Sequence, residues 1–271
     1  CIKCMRCHDT AVYGHFFQCS VNPTIGLLHV LDKMAPARTA PKKVAVIGGG
    51  PCGMKAALVA AERGHSVTLY EKTDCLGGAL KFADYVSFKY SLAKYKNYLI
   101  HQVEKSAVDV KLNTCATPEL LKAEGYDAVI AAVGAEPLTP PIPGLEHARV
   151  ATATYGHEDT LGDSVIVIGG GQVGCETALH LAKLGKKVSV VEMRDALAPD
   201  ASTTHRGDLM SVIAAEPNFV PVLNARCTGV TATSVTAEQD GKEITITADS
   251  VVLAAGMKPT LAPVRNRTKP T

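Results

Sequence analysis

The sequence contains no tryptophan, and aromatic residues make up only 5% of its 271 positions. With 23 glycines, that composition leans toward a Gly/Ala/Val-rich α/β protein. It also lacks a charge surplus: 28 Lys and Arg face 26 Asp and Glu, for a formal net charge of +2. A dedicated nucleic-acid or polyanion binder would show a basic excess, so no nucleic-acid partner is expected. No apolar run approaches the ~18–20 residues of a membrane helix, so no membrane partner is expected either. The first 30 residues are broken by Cys, His and Asn-Pro, unlike a signal peptide, and the chain does not open on Met. Hydrophobic residues at 46% and charged residues at 20% give a globular composition. The length suits roughly two domains of ~100–200 residues.

Cysteine is abundant. Nine cysteines without a secretory signal point to a reducing, cytoplasmic setting, where thiols bind metal or do redox work more often than they form disulfides. Four of them, Cys1, Cys4, Cys7 and Cys19, fall in C-I-K-C-M-R-C-H and the following C-S-V-N-P. Three thiolates at three-residue spacing can wrap one corner of a metal–sulfide cube, and a fourth from a returning loop completes a [4Fe–4S] site. Structural zinc usually takes two paired knuckles, so the three-plus-one pattern favours the cluster, with zinc as the rival. His8 reads as a polar residue beside this loop. Cys75 has no partner at the C-x4-C distance of a dithiol site. Cys52, within a glycine turn, reads as a packing residue, as do Cys115, Cys175 and Cys227.

A Pro- and Ala-rich stretch near residues 35–41 marks a boundary. Beyond it, Val44–Ile47 reads as a buried parallel strand, followed by G-G-G-P-C-G, an Ala-rich helix over Met54–Arg63, and a strand Ser66–Tyr70 ending at Glu71. The unit recurs 121 residues on: Val165–Ile168, then G-G-G-Q-V-G, a helix to Leu184, and a strand Val188–Val191 ending at Glu192. Each unit is followed by an apolar strand closing on glycine, at Gly134 and at Gly256. Lys81–Ser106 reads as an amphipathic helix. Ser234–Thr247 reads as a hairpin turning at Asp240-Gly241, and Leu138–Gly144 as an interdomain crossover.

The two glycine units carry a full dinucleotide fingerprint: strand, G-x-G-x-x-G, helix, then an acidic residue at the end of the next strand. The glycines permit the tight turn, close approach of backbone to a pyrophosphate, and close helix packing. The helix N-terminus offers free N–H groups and a positive dipole end, and the carboxylate accepts hydrogen bonds from ribose. Two units imply two nucleotides. A carboxylate at Glu192 repels the 2′-phosphate of NADP and favours NADH over NADPH, although Arg194 can offset it.

These motifs in order resemble a known family. C-I-K-C-M-R-C…C-S-V-N-P, V-A-V-I-G-G-G-P-C-G-M, E-K-T-D-C-L-G-G, V-I-V-I-G-G-G-Q-V-G-C-E-T-A and L-A-A-G-M-K-P look like the C-terminal part of the long relatives of old yellow enzyme. These are the bacterial 2,4-dienoyl-CoA reductases, 2-enoate reductases and trimethylamine dehydrogenase. The resemblance implies two glutathione-reductase-like α/β domains behind an iron–sulfur loop, arranged as loop and linker over 1–40, an FAD domain over 41–145, an NAD(P)H domain over 146–260, and a truncated return toward the FAD domain over 261–271. It implies that Gly48, Gly50, Gly53 and Glu71 hold FAD, with Gly77, Gly78 and Gly134 nearby. Gly169, Gly171, Gly174 and Glu192 would hold NADH, and Cys1, Cys4, Cys7 and Cys19 the cluster. No catalytic acid or base is assigned.

The implied enzyme is an FAD-dependent NAD(P)H oxidoreductase, an electron-input module. In it NADH reduces FAD, electrons pass through the cluster to FMN in an N-terminal (β/α)8 barrel, and the barrel reduces an activated C=C bond of an enoate or enoyl-CoA type. That barrel is absent from this chain, which is accordingly expected to be a fragment of a longer flavoprotein that holds FAD weakly on its own. The missing barrel is then the expected protein partner, and homo-oligomerisation is left open. The alternatives are a non-catalytic nucleotide module with ADP in the first domain, and a zinc-stabilised scaffold.

Overall fold

The structure is a computed structural model that describes residues 1–27, 30 and 40–260. Most of the expected linker and the whole of the expected return segment at 261–271 lie outside the described residues. The described residues divide into two compact units, one formed by residues 1–2, 26–27, 30, 40–136 and 259–260, the other by residues 3–25 and 137–258.

The first unit is built on β1 (Lys43–Ile47), whose central residues Val44, Ala45 and Val46 are buried, as a parallel strand covered on both faces requires. The chain turns at the glycines into α2 (Pro51–Glu62), returns as β2 (Ser66–Tyr70), and pairs β2 beside β1 in parallel with Lys43 opposite Ser66. The helix starts three residues before the expected position. Gly50 is its extended N-cap, and Pro51 fills the first turn, where its fixed φ fits and its missing N–H costs nothing. Strands β3 (Asp109–Lys111) and β4 (Ala128–Ala131) complete a sheet ordered β3-β2-β1-β4. Its core packs Met54, Leu58, Leu69, Leu99 and Val103 between sheet and helices.

The amphipathic helix expected over Lys81–Ser106 is shorter in the structure. Two 3-10 turns, Gly78–Asp84 and Ser87–Lys89, precede α3 (Tyr90–Glu104). The positive φ of Gly77 and Gly78 and the extended backbone of Val86 interrupt regular helix there. A short α4 (Pro118–Ala123) is capped by the Thr117 hydroxyl, which accepts from the Leu120 N–H.

The second unit repeats the plan. Strand β7 (Ser164–Ile168) is flanked in parallel by β8 (Lys187–Val191) and β13 (Ser250–Leu253), with β9 (Phe219–Val222) and β6 (Arg149–Val150) at the edges. The order β9-β8-β7-β13 matches β3-β2-β1-β4, so the topology that seats a dinucleotide occurs twice. Helix α5 (Gln172–Lys183) is nearly buried all round, from Gly174 to Ala182. Its polar side chains are partnered: Glu176 with His205 at 2.9 Å, His180 with Glu158 at 2.8 Å, and the Thr177 hydroxyl with the Tyr155 hydroxyl at 2.7 Å. Burial pushes the Tyr155 hydroxyl up to about 12.

An antiparallel sheet of β10 (Ala225–Val230), β11 (Ser234–Gln239) and β12 (Lys242–Thr247) replaces the simple return of the first unit. Its hairpin turns at Asp240 (φ 50°) and Gly241 (φ 73°), the left-handed pair a two-residue turn needs. Residues 137–145, expected to close the first domain, pack in the second unit. The Val230 N–H donates to the Pro143 carbonyl at 2.9 Å, and a Cβ on Gly144 would lie 1.8 Å from the Val230 carbonyl oxygen. Two of the passages of the chain from one unit to the other fall in β5 (Ala135–Pro137) and β14 (Met257–Pro259). Helix α6 (Thr203–Ala214) receives the cysteine-bearing α1 (Arg6–Val12), so residues 3–25 also join the second unit rather than standing apart. Among the described residues no helix is long and apolar enough to cross a membrane.

Candidate functional site: two nucleotide seats and a cysteine loop

The two glycine turns differ in sequence but not in construction. In the first, a Cβ on Gly48 would lie 2.3 Å from the Ala132 carbonyl oxygen, and one on Gly53 would lie 1.8 Å from the Gly48 carbonyl oxygen. In the second, Gly169 would meet the Ala254 carbonyl oxygen at 2.6 Å, and Gly174 the Gly169 carbonyl oxygen at 1.8 Å. These four glycines are demanded by helix, turn and neighbouring strand. Gly50 and Gly171 are different. Both have extended backbone open to any residue, and a Cβ on Gly50 would approach nothing closer than the Gly78 Cα at 3.8 Å. Nothing within the protein requires glycine at position 50. A flat cradle at the helix N-terminus, kept free of side chain, fits a pyrophosphate laid against the backbone.

Both strand-terminal carboxylates reach back to the turns. Glu71 Oε2 accepts the Gly49 N–H at 2.7 Å, while Oε1 accepts the Thr73 N–H at 2.9 Å and the Thr73 hydroxyl at 2.8 Å. The Lys81 ammonium donates to that hydroxyl at 2.9 Å. Burial pulls the Glu71 carboxyl up, but the hydrogen bonds from Thr73 and Gly49 and the charge of Lys81 outweigh it and hold the pKa below the usual range. Glu192 repeats the grip: Oε2 accepts the Gly170 N–H at 2.6 Å, and Oε1 accepts both the N–H of Arg194 at 2.9 Å and its Nε at 3.0 Å.

The loops after these carboxylates are a second repeat, one that carries no glycine signature common to both copies. E-K-T-D-C-L-G (71–77) and E-M-R-D-A-L-A (192–198) share Glu, Asp and Leu at the same offsets. Leu76 and Leu197 each press on the middle glycine of their turn, Gly49 and Gly170. The Gly77 N–H donates to the Gly49 carbonyl at 2.9 Å, and the Ala198 N–H to the Gly170 carbonyl at 2.7 Å. Gly78 lies against Gly50, where an added Cβ would come within 2.7 Å of the Gly50 Cα. Gly134 has positive φ and open space around it, so its glycine serves the backbone turn.

In the second unit a cavity of about 470 Å³ opens over Gly169, Gly171, Glu192, Arg194 and Asp200. Its far wall includes Arg226 and Cys227, residues that the sequence patterns did not single out for a site.

The cysteine loop is drawn together by polar contacts. Arg6 donates through Nε and Nη2 to Gln18 Oε1 at 3.0 and 2.6 Å, the Gln18 N–H donates to the Thr10 hydroxyl at 3.3 Å, and Cys4 Sγ lies 3.2 Å from Ser20 Oγ. The segment bearing Cys19 is thereby returned beside Cys4 and Cys7. Lys3 and Met5, which flank Cys4, take left-handed backbone, as in turns whose N–H groups face an anionic centre. All nine cysteines are free, and among the described residues no group of three or more Cys, His, Asp or Glu is already arranged as a metal site. The all-sulfur donor set and returning loop fit an iron–sulfur cluster in chemistry. His8 stands beside the loop, its Nδ1 3.0 Å from the Thr204 hydroxyl. Of the four cysteines expected to pack, Cys175 is buried with its thiol pushed up to about 12 by that burial and Cys227 is half-buried, whereas Cys52 and Cys115 are exposed and do not pack as expected.

Two Rossmann-type units, each with turn, helix and strand-end carboxylate, define a two-seat dinucleotide fold of the glutathione-reductase-like class. The chain belongs to the pyridine nucleotide-disulphide oxidoreductase family, whose model matches residues 42–269. It is 37% identical over 290 residues to an NADH oxidase of Thermoanaerobacter brockii, covering 99% of this chain and 42% of that protein. It is 36% identical to a cinnamate reductase of Clostridium sporogenes, covering 94% and 39%. A solved 2-naphthoyl-CoA reductase superposes with a TM-score of 0.88 at 32% identity, over 98% of this chain and 41% of that one. The chain thus spans about two fifths of the length of these relatives. The expected glutathione-reductase-like α/β fold is present, and the family to which the chain belongs is one of pyridine-nucleotide oxidoreductases.

Proposed function

We propose that this chain is the electron-input part of a larger reductase. The first unit holds FAD on Gly48, Gly50, Gly53 and Glu71, with Gly77, Gly78 and Gly134 close by. The second holds NADH on Gly169, Gly171, Gly174 and Glu192. Cys1, Cys4, Cys7 and Cys19 hold a [4Fe–4S] cluster. The bound cofactors supply hydride acceptance from the nicotinamide and single-electron exit. The protein's part is positional: N–H groups of the helix N-termini face phosphate, and the strand-end carboxylates take ribose hydroxyls. The observation that carries this reading is the pairing of Gly50 and Gly171, which the backbone does not require, with two carboxylates that grip their turns at 2.7 and 2.6 Å.

Glu192 supports NADH over NADPH, because its carboxylate opposes a 2′-phosphate and already engages the nearby Arg194 cation. In the whole protein, electrons would continue to FMN in a further domain and on to an activated C=C bond. The name of the cinnamate-reducing relative supports that substrate class. Anaerobic purification followed by iron, sulfide and flavin analysis tests the assignment. About four irons per chain, and flavin absorbance that bleaches on NADH addition, are expected. Colourless protein carrying zinc, or flavin that NADH leaves oxidised, would overturn it.

A further inference from the structure

The second nucleotide seat carries a carboxylate at its helix N-terminus that has no counterpart in the first. Asp200 Oδ1 accepts the Gln172 N–H at 2.8 Å, at the first turn of α5. Both Asp200 oxygens would lie 3.4 Å from a Cβ on Gly171, the glycine that leaves room for pyrophosphate. A carboxylate therefore stands at the phosphate position, satisfying one free helix N–H and the positive end of the dipole. The first unit shows that the fold does not need it. Its loop makes the same turn, with Gly77 on the Gly49 carbonyl as Ala198 is on the Gly170 carbonyl, yet eight residues after Glu71 it carries Ala79, where the same count from Glu192 gives Asp200. Asp200 is exposed, and it also lines the 470 Å³ cavity, so it adds nothing to the core.

We propose that Asp200 is a built-in competitor for the pyrophosphate of the dinucleotide: its carboxylate holds the α5 N-terminus until a pyrophosphate displaces it, and this sets how tightly the second unit binds NADH. The inference rests on the second unit being the NADH seat. A dianionic pyrophosphate and a carboxylate cannot share one N–H donor at hydrogen-bonding distance, so binding includes the loss of the Asp200–Gln172 contact and the outward swing of a like charge. The effect is confined to ligands that carry a pyrophosphate.

The test uses the chain saturated with FAD, so that the first seat is filled, and measures binding of NADH, ADP-ribose and adenosine to the wild type, Asp200→Ala, Asp200→Asn and the control Asp195→Asn. Asp200→Ala should bind NADH and ADP-ribose roughly tenfold more tightly, the scale of one charge-assisted hydrogen bond. The near-isosteric Asp200→Asn, which keeps an acceptor but loses the charge, should gain less. Adenosine affinity and the Asp195→Asn variant should not change. Unchanged or weaker NADH binding by both Asp200 variants, or an equal gain for adenosine, overturns the inference while leaving the NADH seat intact. Absence of NADH binding in wild type and variants alike overturns the nucleotide assignment itself, and this inference with it.

Discussion

Glu192 and Arg194 are bound to each other twice through a single carboxylate oxygen, which accepts the arginine's backbone N–H at 2.9 Å and its Nε at 3.0 Å. The arginine is thereby drawn onto the acid. Glu192 is buried, whereas the Arg194 side chain is half exposed and free to move when its partner is lost. Glu192→Ala should weaken NADH binding by about tenfold, through loss of ribose contacts. It should also raise the relative rate with NADPH, as Arg194 becomes available to a 2′-phosphate. Steady-state rates with both nucleotides, in Glu192→Ala and in Glu192→Ala/Arg194→Ala, check this. The double variant should lose the NADPH gain.

The glycines within one turn should separate by phenotype. Gly53→Ala places a Cβ 1.8 Å from the Gly48 carbonyl oxygen and should cost about 3 kcal/mol of stability, since backbone cannot yield as a side chain tip can. Gly50→Ala meets nothing closer than the Gly78 Cα at 3.8 Å and should change stability by less than about 1 kcal/mol, yet lower FAD retention by about tenfold or more. Thermal unfolding and flavin content, measured side by side, decide it.

Glu71 should leave a signature in acid stability. Its folded pKa lies below the ordinary value of 4.5, so its stabilising contribution is complete above pH 4.5 and is lost as the pH falls through the depressed folded value. Glu71→Gln should therefore flatten the acid limb of the stability profile relative to wild type. Thr73→Val, which removes only the hydroxyl contact, should flatten it partly. Urea titrations between pH 3 and 7 would show this.

Thiol reactivity should divide the cysteines by place. Burial drives the Cys175 thiol up to about 12, and its Sγ lies 3.2 Å from the Gly170 carbonyl oxygen. In the native, cluster-free chain at pH 8, iodoacetamide should label Cys1, Cys4, Cys52, Cys75 and Cys115 while sparing Cys175 until the protein unfolds. Peptide mapping by mass spectrometry reads this directly.

The fold is held chiefly by side chains under the two parallel sheets. Leu69→Ala, at a fully buried position of β2, should cost about 3 kcal/mol. An equal loss is not expected from the exposed Leu184→Ala. Chemical denaturation distinguishes the two.

Much of this protein is determined by local sequence. The runs Val44–Ile47 and Val165–Ile168, the glycine turns after them, and Glu71 and Glu192 all announce themselves, because strand burial, tight turns and helix starts obey short-range rules of pattern and backbone conformation. The Asp240-Gly241 hairpin is legible for the same reason. Other features depend on contacts between distant residues. The chain breaks into 3-10 turns at 78–89 despite an amphipathic pattern, and residues 137–145 side with the second unit because Val230 holds them there. The grouping of residues 3–25 with α6 arises from contacts such as the Thr204 hydroxyl to His8 at 3.0 Å, between residues 196 apart in sequence. Only the tertiary structure places Asp200 on the N–H of Gln172. That meeting depends on the left-handed turn at Ala198, which folds the loop back over the helix, and no spacing rule in the sequence encodes that path.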